Sequence, residues 1–456
     1  MDERLAADLA ALPDLLESTC RLAVDTLDGL DRRPVAGRRP DVPAPARPVE
    51  GIGLAATLEE FAARWAPGLS GSAGPRYLGF VTGGATPASI AGDWLTSVFD
   101  QNVVSTLDSA ATALERETVG RLRELFGLPV AFEGAFVSGA TMSTVVGLAI
   151  AREWLGEELG VAVAHEGVRA LGDVRVFSGS AHSSVFKALS MLGLGRDSLR
   201  AVPTLPGREA VDVAALDDAL STTGGRPAIV VANAGTVNTV DFDDLRAVAA
   251  LRSRHRFWLH VDGAFGGFAA VVPEHAHLVA GLDEADSVGV DLHKWLNVPY
   301  DSAVQFSRRR DLQVRVFQNA AAYLGLPTAE PDFVHLTPES SRRFRALAAW
   351  FTLTAYGREG HADIVRRNVE SARRVGAALA GLPGVRLLAP VRLNVVCLAV
   401  PGDPARVARA VADTGETFVT PTVYGGEPAL RLAFSNWRTG VPDELRIVDA
   451  FRKALT

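Results

Sequence analysis

Ser287-Val288-Gly289-Val290-Asp291-Leu292-His293-Lys294-Trp295-Leu296-Asn297-Val298-Pro299-Tyr300 is the stretch on which the reading of the chain turns. It opens with a short apolar, β-prone run and ends in a polar cluster, so Lys294 falls where a strand stops and the chain turns. An amine at such a point is partly desolvated. Burial disfavours its ammonium form, and the neutral amine can attack an aldehyde. Taken alone, Lys294 would read as an ordinary surface cation. Asp262 changes that, because it lies 32 residues earlier, in His260-Val261-Asp262-Gly263-Ala264-Phe265-Gly266-Gly267, and also ends a short apolar run. Strand, acid, turn, strand, lysine is the order such chemistry needs.

Upstream the same unit recurs. Ala228-Ile229-Val230-Val231-Ala232 reads as a buried strand ending at the turn Asn233-Ala234-Gly235-Thr236-Val237-Asn238-Thr239, and Val174-Arg175-Val176-Phe177 as one ending at Ser178-Gly179-Ser180-Ala181-His182-Ser183-Ser184. Ala135-Phe136-Val137 is followed by Ser138-Gly139-Ala140-Thr141 and a helical pattern to about Trp154. Strand, small residues and helix start together favour an anion, since the free backbone N–H groups and the helix dipole both point at it. The repeated strand, loop and helix predict a mostly parallel sheet covered by helices, with ligand groups converging at strand ends. From about His361 onward a helix, two strands and a last helix read as a smaller α+β domain. At the other end, Leu5, Leu9, Leu12 and Leu16 recur at helical spacing over residues 3–29, with Pro13 breaking the helix near Leu12. Residues 34–48, rich in Pro, Arg and Ala, read as an extended connector.

A chain of 456 residues, 48% hydrophobic and 22% charged, buries a sizeable core and is not disordered as a whole. Its net charge of −7 gives no electrostatic reason to expect nucleic acid or an acidic membrane as partner. Cys20 and Cys397 stand far apart without ligand spacing, so no disulfide is expected and a reducing cytoplasm fits. The acidic start Met1-Asp2-Glu3-Arg4 lacks a signal-type apolar core, and no stretch has the apolar length of a membrane span, so secretion and membrane insertion are not expected. His275-Ala276-His277 has no third ligand nearby, and no metal site is expected.

The Asp-x-His-Lys-Trp and Val-Asp-x-Ala-x-Gly-Gly motifs, in this order and spacing, resemble those of the pyridoxal-phosphate-dependent decarboxylases, the group that includes the aromatic L-amino-acid and glutamate decarboxylases. The resemblance runs from about Tyr77 to the C-terminus. It implies an α/β large domain of the transferase-like, fold type I kind over residues 77–360, a small α+β domain over 361–456, and a helical dimerisation segment with linker over 1–76. It implies pyridoxal 5'-phosphate as cofactor, Lys294, His182 and Asp262 as catalytic residues, and a homodimer. Further cofactor contacts would be Gly139, Ala140 and Thr141 at the phosphate, with Ala264, Thr236 and His293 around the ring. Tyr77, Phe80, Thr82, Phe333, His335 and Arg438 would meet the substrate.

The activity so implied is α-decarboxylation of an L-amino acid, aromatic or large and apolar, to an amine and CO2. Another lyase or aminotransferase on the same cofactor is the enzyme alternative, and a cofactor-less scaffold protein the non-enzyme one. Four positions depart from the family pattern. Met142 stands where an acid is frequent, and Val240-Asp241 where Gly-Ala usually follows the 233–239 turn. Phe333 stands where a loop tyrosine protonates Cα, which points to an aldehyde-forming side path unless Tyr323 or His335 takes that role.

Overall fold

Seven strands form one sheet in the computed structural model, which describes residues 1–37, 50–319 and 329–456. They are β1 (Glu133–Val137), β2 (Val176–Ser178), β3 (Leu199–Ala201), β4 (Ala228–Asn233), β5 (Phe257–Asp262), β6 (Ser287–Asp291) and β7 (Ala303–Ser307), laid side by side in the order β1-β7-β6-β5-β4-β2-β3. The run from β3 through β6 is parallel throughout, and β7 is antiparallel to both its neighbours. Helices cover both faces, so β4 is buried at every position and reads Ala-Ile-Val-Val-Ala-Asn without polar alternation. The expected mostly parallel α/β sheet is thus observed. The helix Ala140–Leu159 lies across β5, β6 and β7. It sits this close because position 289 is glycine, where a Cβ would stand 2.4 Å from Ser143 Oγ. The helix N-terminus is thereby carried to the carboxyl ends of β5 and β6.

A second sheet carries β8 (Arg386–Leu387), β9 (Val395–Ala399), β10 (Thr420–Tyr424) and β11 (Glu427–Ala433) in the order β10-β11-β9-β8, all antiparallel. Val396, Leu398, Leu430, Leu432 and Phe451 make its own core, and Leu78 joins them, with its N–H donated to Phe418 O at 2.9 Å. The chain therefore touches the small domain just where the large one was expected to begin. The helical stretch Arg345–Ala380 leads from one sheet to the other and is kinked at Gly357, whose φ of 59° is costly for any residue with a Cβ.

The N-terminal segment forms two helices, Glu3–Ala10 and Leu12–Asp28, with the break at Ala11. Pro13 lies in the first turn of the second helix, where its missing N–H is no loss. Neither helix buries a residue within the chain, and Leu5, Leu9, Leu12 and Leu16 are all exposed. Arg76 secures the segment to the small domain: it is buried, its Nη1 lies 3.1 Å from Asp443 Oδ1, and its Nη2 donates to Asp31 O at 3.0 Å. Most of the expected 34–48 connector lies outside the described residues.

Candidate active site

Asp262 closes β5, Asp291 closes β6, and Lys294 follows in the single turn Leu292–Trp295. The parallel register pairs Asp262 with Gly289, two residues before Asp291, so both carboxylates and the amine gather at one edge of the sheet. Lys294 Nζ lies 2.7 Å from Asp291 Oδ2, and Asp291 Oδ1 accepts the Ala140 N–H at 2.5 Å. The ammonium also stands 5.5 Å above the Phe265 ring, close enough for cation–π attraction. Asp262 is buried, and the Ala264 N–H, at 3.1 Å, is the only donor to its carboxylate among the described residues. Its remaining lone pairs are free for a ligand.

His182 caps the helix Ser183–Met191: its Nδ1 accepts the Ser184 N–H at 3.2 Å and lies 2.8 Å from Ser184 Oγ. An accepting Nδ1 leaves the proton of the neutral ring on Nε2. The ring is open to solvent through the cavity, yet surrounding protein still lowers its pKa by desolvation, against the Asp262 charge, which raises it. Burial likewise lowers the pKa of His293, whose Nδ1 accepts the Ser302 N–H at 3.3 Å. At the start of the helix Ala140–Leu159, Asp291 takes the Ala140 N–H and Gly139 O takes the Ser143 N–H. The N–H groups of Thr141 and Met142 have no protein partner among the described residues.

A cavity of about 430 Å3 opens here, and Lys294, Asp262 and His182 all line it. Ala264, Thr236, His293, the 139–141 turn and Phe80 line it too. The other expected substrate contacts do not reach it within the chain. Tyr77 stacks on Phe418 with ring centroids 5.0 Å apart, and Thr82 is buried with its hydroxyl 3.2 Å from Tyr300 Oη. Phe333 is 1% exposed in the core, beneath the guanidinium groups of Arg342 and Arg116, because an apolar ring beside a buried cation packs better there than in water. His335 is buried beside it, with Nδ1 accepting the Asn319 N–H at 3.1 Å. Arg438 is exposed and lies over the Trp437 ring. Tyr323 lies outside the described residues.

Residues that sequence reasoning gave no role complete the wall. Asp291 is one, although it stands inside the quoted motif. Asn233 is another; its Nδ2 donates to Asp243 Oδ2 at 3.3 Å. The third is Arg431 of β11, seven residues before the arginine expected to meet the substrate, 5% exposed and donating through Nε to Val237 O. Burial lowers its pKa to about 10, so it is still charged near neutrality. A lone arginine inside the apolar run Ala429-Leu430-Arg431-Leu432-Ala433 was the available signal.

A strand-end lysine and a strand-end carboxylate facing one cleft, with free N–H groups at a helix start beside them, suit an aldehyde cofactor that carries a ring nitrogen and a phosphate. The fold and this donor set are those of a pyridoxal-phosphate enzyme. Residues 45–400 match the family model described as the pyridoxal-dependent decarboxylase conserved domain, and the chain belongs to that family. It is 31% identical over 406 residues to an aromatic-L-amino-acid decarboxylase of Bos taurus, covering 83% of this chain and 82% of the relative. A 3,4-dihydroxyphenylacetaldehyde synthase of Drosophila melanogaster is 28% identical, covering 83% and 77%. Among solved structures, the tryptophan decarboxylase of Oryza sativa with pyridoxal phosphate and tryptamine superposes with a TM-score of 0.89 at 22% identity, over 98% of this chain and 99% of that one. The protein is a pyridoxal-phosphate-dependent carboxy-lyase acting on an amino acid.

Proposed function

We propose that this enzyme removes the α-carboxyl group of an L-amino acid with an aromatic or large apolar side chain, giving the amine and CO2. The observation that carries the proposal is Arg431, among the described residues the only guanidinium in the wall of a cavity otherwise rich in apolar side chains such as Phe80, Val81, Met142 and Phe265. Among the described residues it has no carboxylate within ion-pair distance, so it is available to a substrate carboxylate. Asp262, Asp291 and Asp301 line the same cavity, and a second carboxylate on the substrate side chain would meet their charge. The names of the relatives agree with an aromatic side chain.

Lys294 and Asp262 would hold the cofactor at its aldehyde carbon and ring nitrogen, and the Thr141 and Met142 N–H groups would hold its phosphate. Pyridoxal phosphate, when bound, supplies a sink for the electrons left at Cα as CO2 departs. Asp262, where it holds the ring nitrogen, would keep a proton on it. His182, neutral, offers its Nε2–H to the cavity, and Arg431 orients the α-carboxylate before it leaves.

A screen of the common L-amino acids for CO2 release, with amine quantified and oxygen uptake recorded, tests this. Tryptophan, tyrosine or phenylalanine should be used best, with one amine per CO2 and no oxygen consumed. Best turnover of glutamate or aspartate would overturn the substrate assignment; oxygen uptake with aldehyde would overturn the product. We also infer a homodimer, since the exposed leucines of the N-terminal helices need a covering surface. A cytoplasmic location is supported by two free cysteines, Cys20 exposed and Cys397 buried. No helix among the described residues is long and apolar enough to cross a membrane.

A further inference from the structure

The two residues that depart from the family pattern after the 233–239 turn belong to a polar network behind the cavity wall. Val240 holds a φ of 50°, a left-handed conformation that a β-branched residue adopts only under constraint. The constraint is visible: Thr236 N–H donates to Asp241 O at 2.9 Å, and Asp241 N–H to Thr236 Oγ1 at 2.9 Å. The fully buried Asp241 carboxylate is gripped by Arg208 at 2.6 Å and Arg392 at 3.3 Å, and it accepts the Glu209 N–H at 3.0 Å. The departure at 241 therefore fixes the segment that carries Glu209.

Glu209 gathers the turn. Its Oε2 accepts the hydroxyls of Thr236 at 2.5 Å and Thr239 at 2.6 Å and the Thr239 N–H at 3.2 Å; its Oε1 accepts Asn238 Nδ2 at 3.2 Å. Thr236 thus spends its only hydroxyl proton on Glu209 rather than on a ligand. On its other side the turn is held by the small domain: Thr422 Oγ1 donates to Asn238 Oδ1 at 2.7 Å, and Arg431 Nε donates to Val237 O. A chain of contacts runs from the Glu209 carboxylate through the 236–239 backbone to the cavity guanidinium.

We propose that Glu209 is a positioning residue for substrate binding, holding the turn whose Val237 carbonyl aims Arg431 at the α-carboxylate. This rests on the reading of Arg431 given above. In the purified holoenzyme, Glu209→Leu should raise KM about tenfold while kcat and bound-cofactor absorbance change little, because hydrogen bonds to a charged acceptor are among the stronger ones. Glu209→Gln, whose amide oxygen can still take the three contacts of Oε2, should restore most of the KM. Arg431→Met should raise KM at least as far, and Glu209→Leu added to it should raise it no further. Thr239→Val, a milder cut in the same network, serves if Glu209→Leu does not fold, and should raise KM in the same direction. Loss of cofactor, or of kcat at constant KM, in the Glu209 variant would overturn the proposal, as would additive KM effects in the double variant. If Arg431→Met leaves KM unchanged, the reading of Arg431 itself fails, and the proposal with it.

Discussion

Lys294 and Asp291 stand three residues apart in one turn and 2.7 Å apart through their side chains. An ion pair of this kind favours the ammonium form of an amine. Attack on an aldehyde requires that proton to leave, so the ion pair has to be exchanged as a ligand enters. Lys294→Ala should therefore reduce CO2 release to background, and borohydride should no longer fix the cofactor to the chain. A borohydride-stable adduct persisting in the variant would mean that another lysine is used. The variant should also lose about 1–3 kcal/mol of stability, since Asp291 keeps only 3% side-chain exposure and one backbone donor.

Lys294 and Asp262 are legible in the sequence because a strand end leaves a local mark, an apolar run that stops at a polar residue. The sheet, the anion-favouring turn at 138–141 and the His182 cap carry the same mark. Arg431 carries it in reverse, as a cation within the apolar strand β11, and nothing local says whether it meets water or a cavity. That depends on how the small domain docks on the large one, through contacts between segments nearly two hundred residues apart such as Val237 and Arg431. Phe333 shows the opposite failure. Pro331 and Pro338, which read as loop residues, hide the fact that Phe333–His335 is a buried helical turn, held by Arg116 and Arg342 from distant segments.

Phe333 consequently supports a stability prediction where the sequence pointed to chemistry. Phe333→Tyr places a hydroxyl in a site that is 1% exposed, and it should cost about 1–3 kcal/mol unless the group finds a partner. The amine formed per CO2 should stay as in the wild type. A change in that yield on this substitution would return Phe333 to the reaction.

Beneath it, Arg342 and Glu115 form an ion pair, 2.7 Å between Nη2 and Oε1, with side chains 1% and 0% exposed. Arg342 also donates to Val103 O and Phe136 O, and Glu115 accepts the Phe136 N–H, so the pair ties β1 to the segment leading into the long helix. Arg342→Met strands the carboxylate and should lower the unfolding free energy by about 3–5 kcal/mol in urea titration. A loss below 1 kcal/mol, on the order of an exposed pair, would show that water reaches the site.

Acid should act through His260. Fully buried, with Nδ1 2.8 Å from Ser287 Oγ, its imidazole is pushed down to about 4 by burial, against the raising effect of Asp262. Its folded pKa lies below its unfolded value, so its contribution to stability is complete above about 6.5 and is lost as the pH falls through about 4, worth about 3 kcal/mol over that window. Asp243 works the other way: burial raises it to about 6, and what it contributes below its unfolded value is lost as the pH rises through that point. Urea unfolding near neutrality and in mild acid, on the wild type and on His260→Leu, separates the two. The variant should lose less stability on acidification; an equal loss would place the acid sensitivity elsewhere.

The last prediction concerns the surface that one chain leaves bare. Leu5, Leu9 and Leu16 are 60%, 59% and 55% exposed on the N-terminal helices, and Val98 and Phe99, at the end of the helix Pro87–Phe99, are 72% and 61% exposed. Single apolar side chains on a surface are ordinary, but a repeated stripe on a helix that buries nothing of its own is the pattern of an interface. A two-fold partner would cover each stripe twice, and every leucine so buried contributes roughly 1.5–3 kcal/mol. Replacing Leu5, Leu9 and Leu16 together by glutamine should therefore convert a dimer to a monomer at micromolar concentration, read by light scattering. Turnover should fall with it if the neighbouring subunit helps to close the cavity. A wild-type monomer, or a triple variant that remains dimeric, would end the idea.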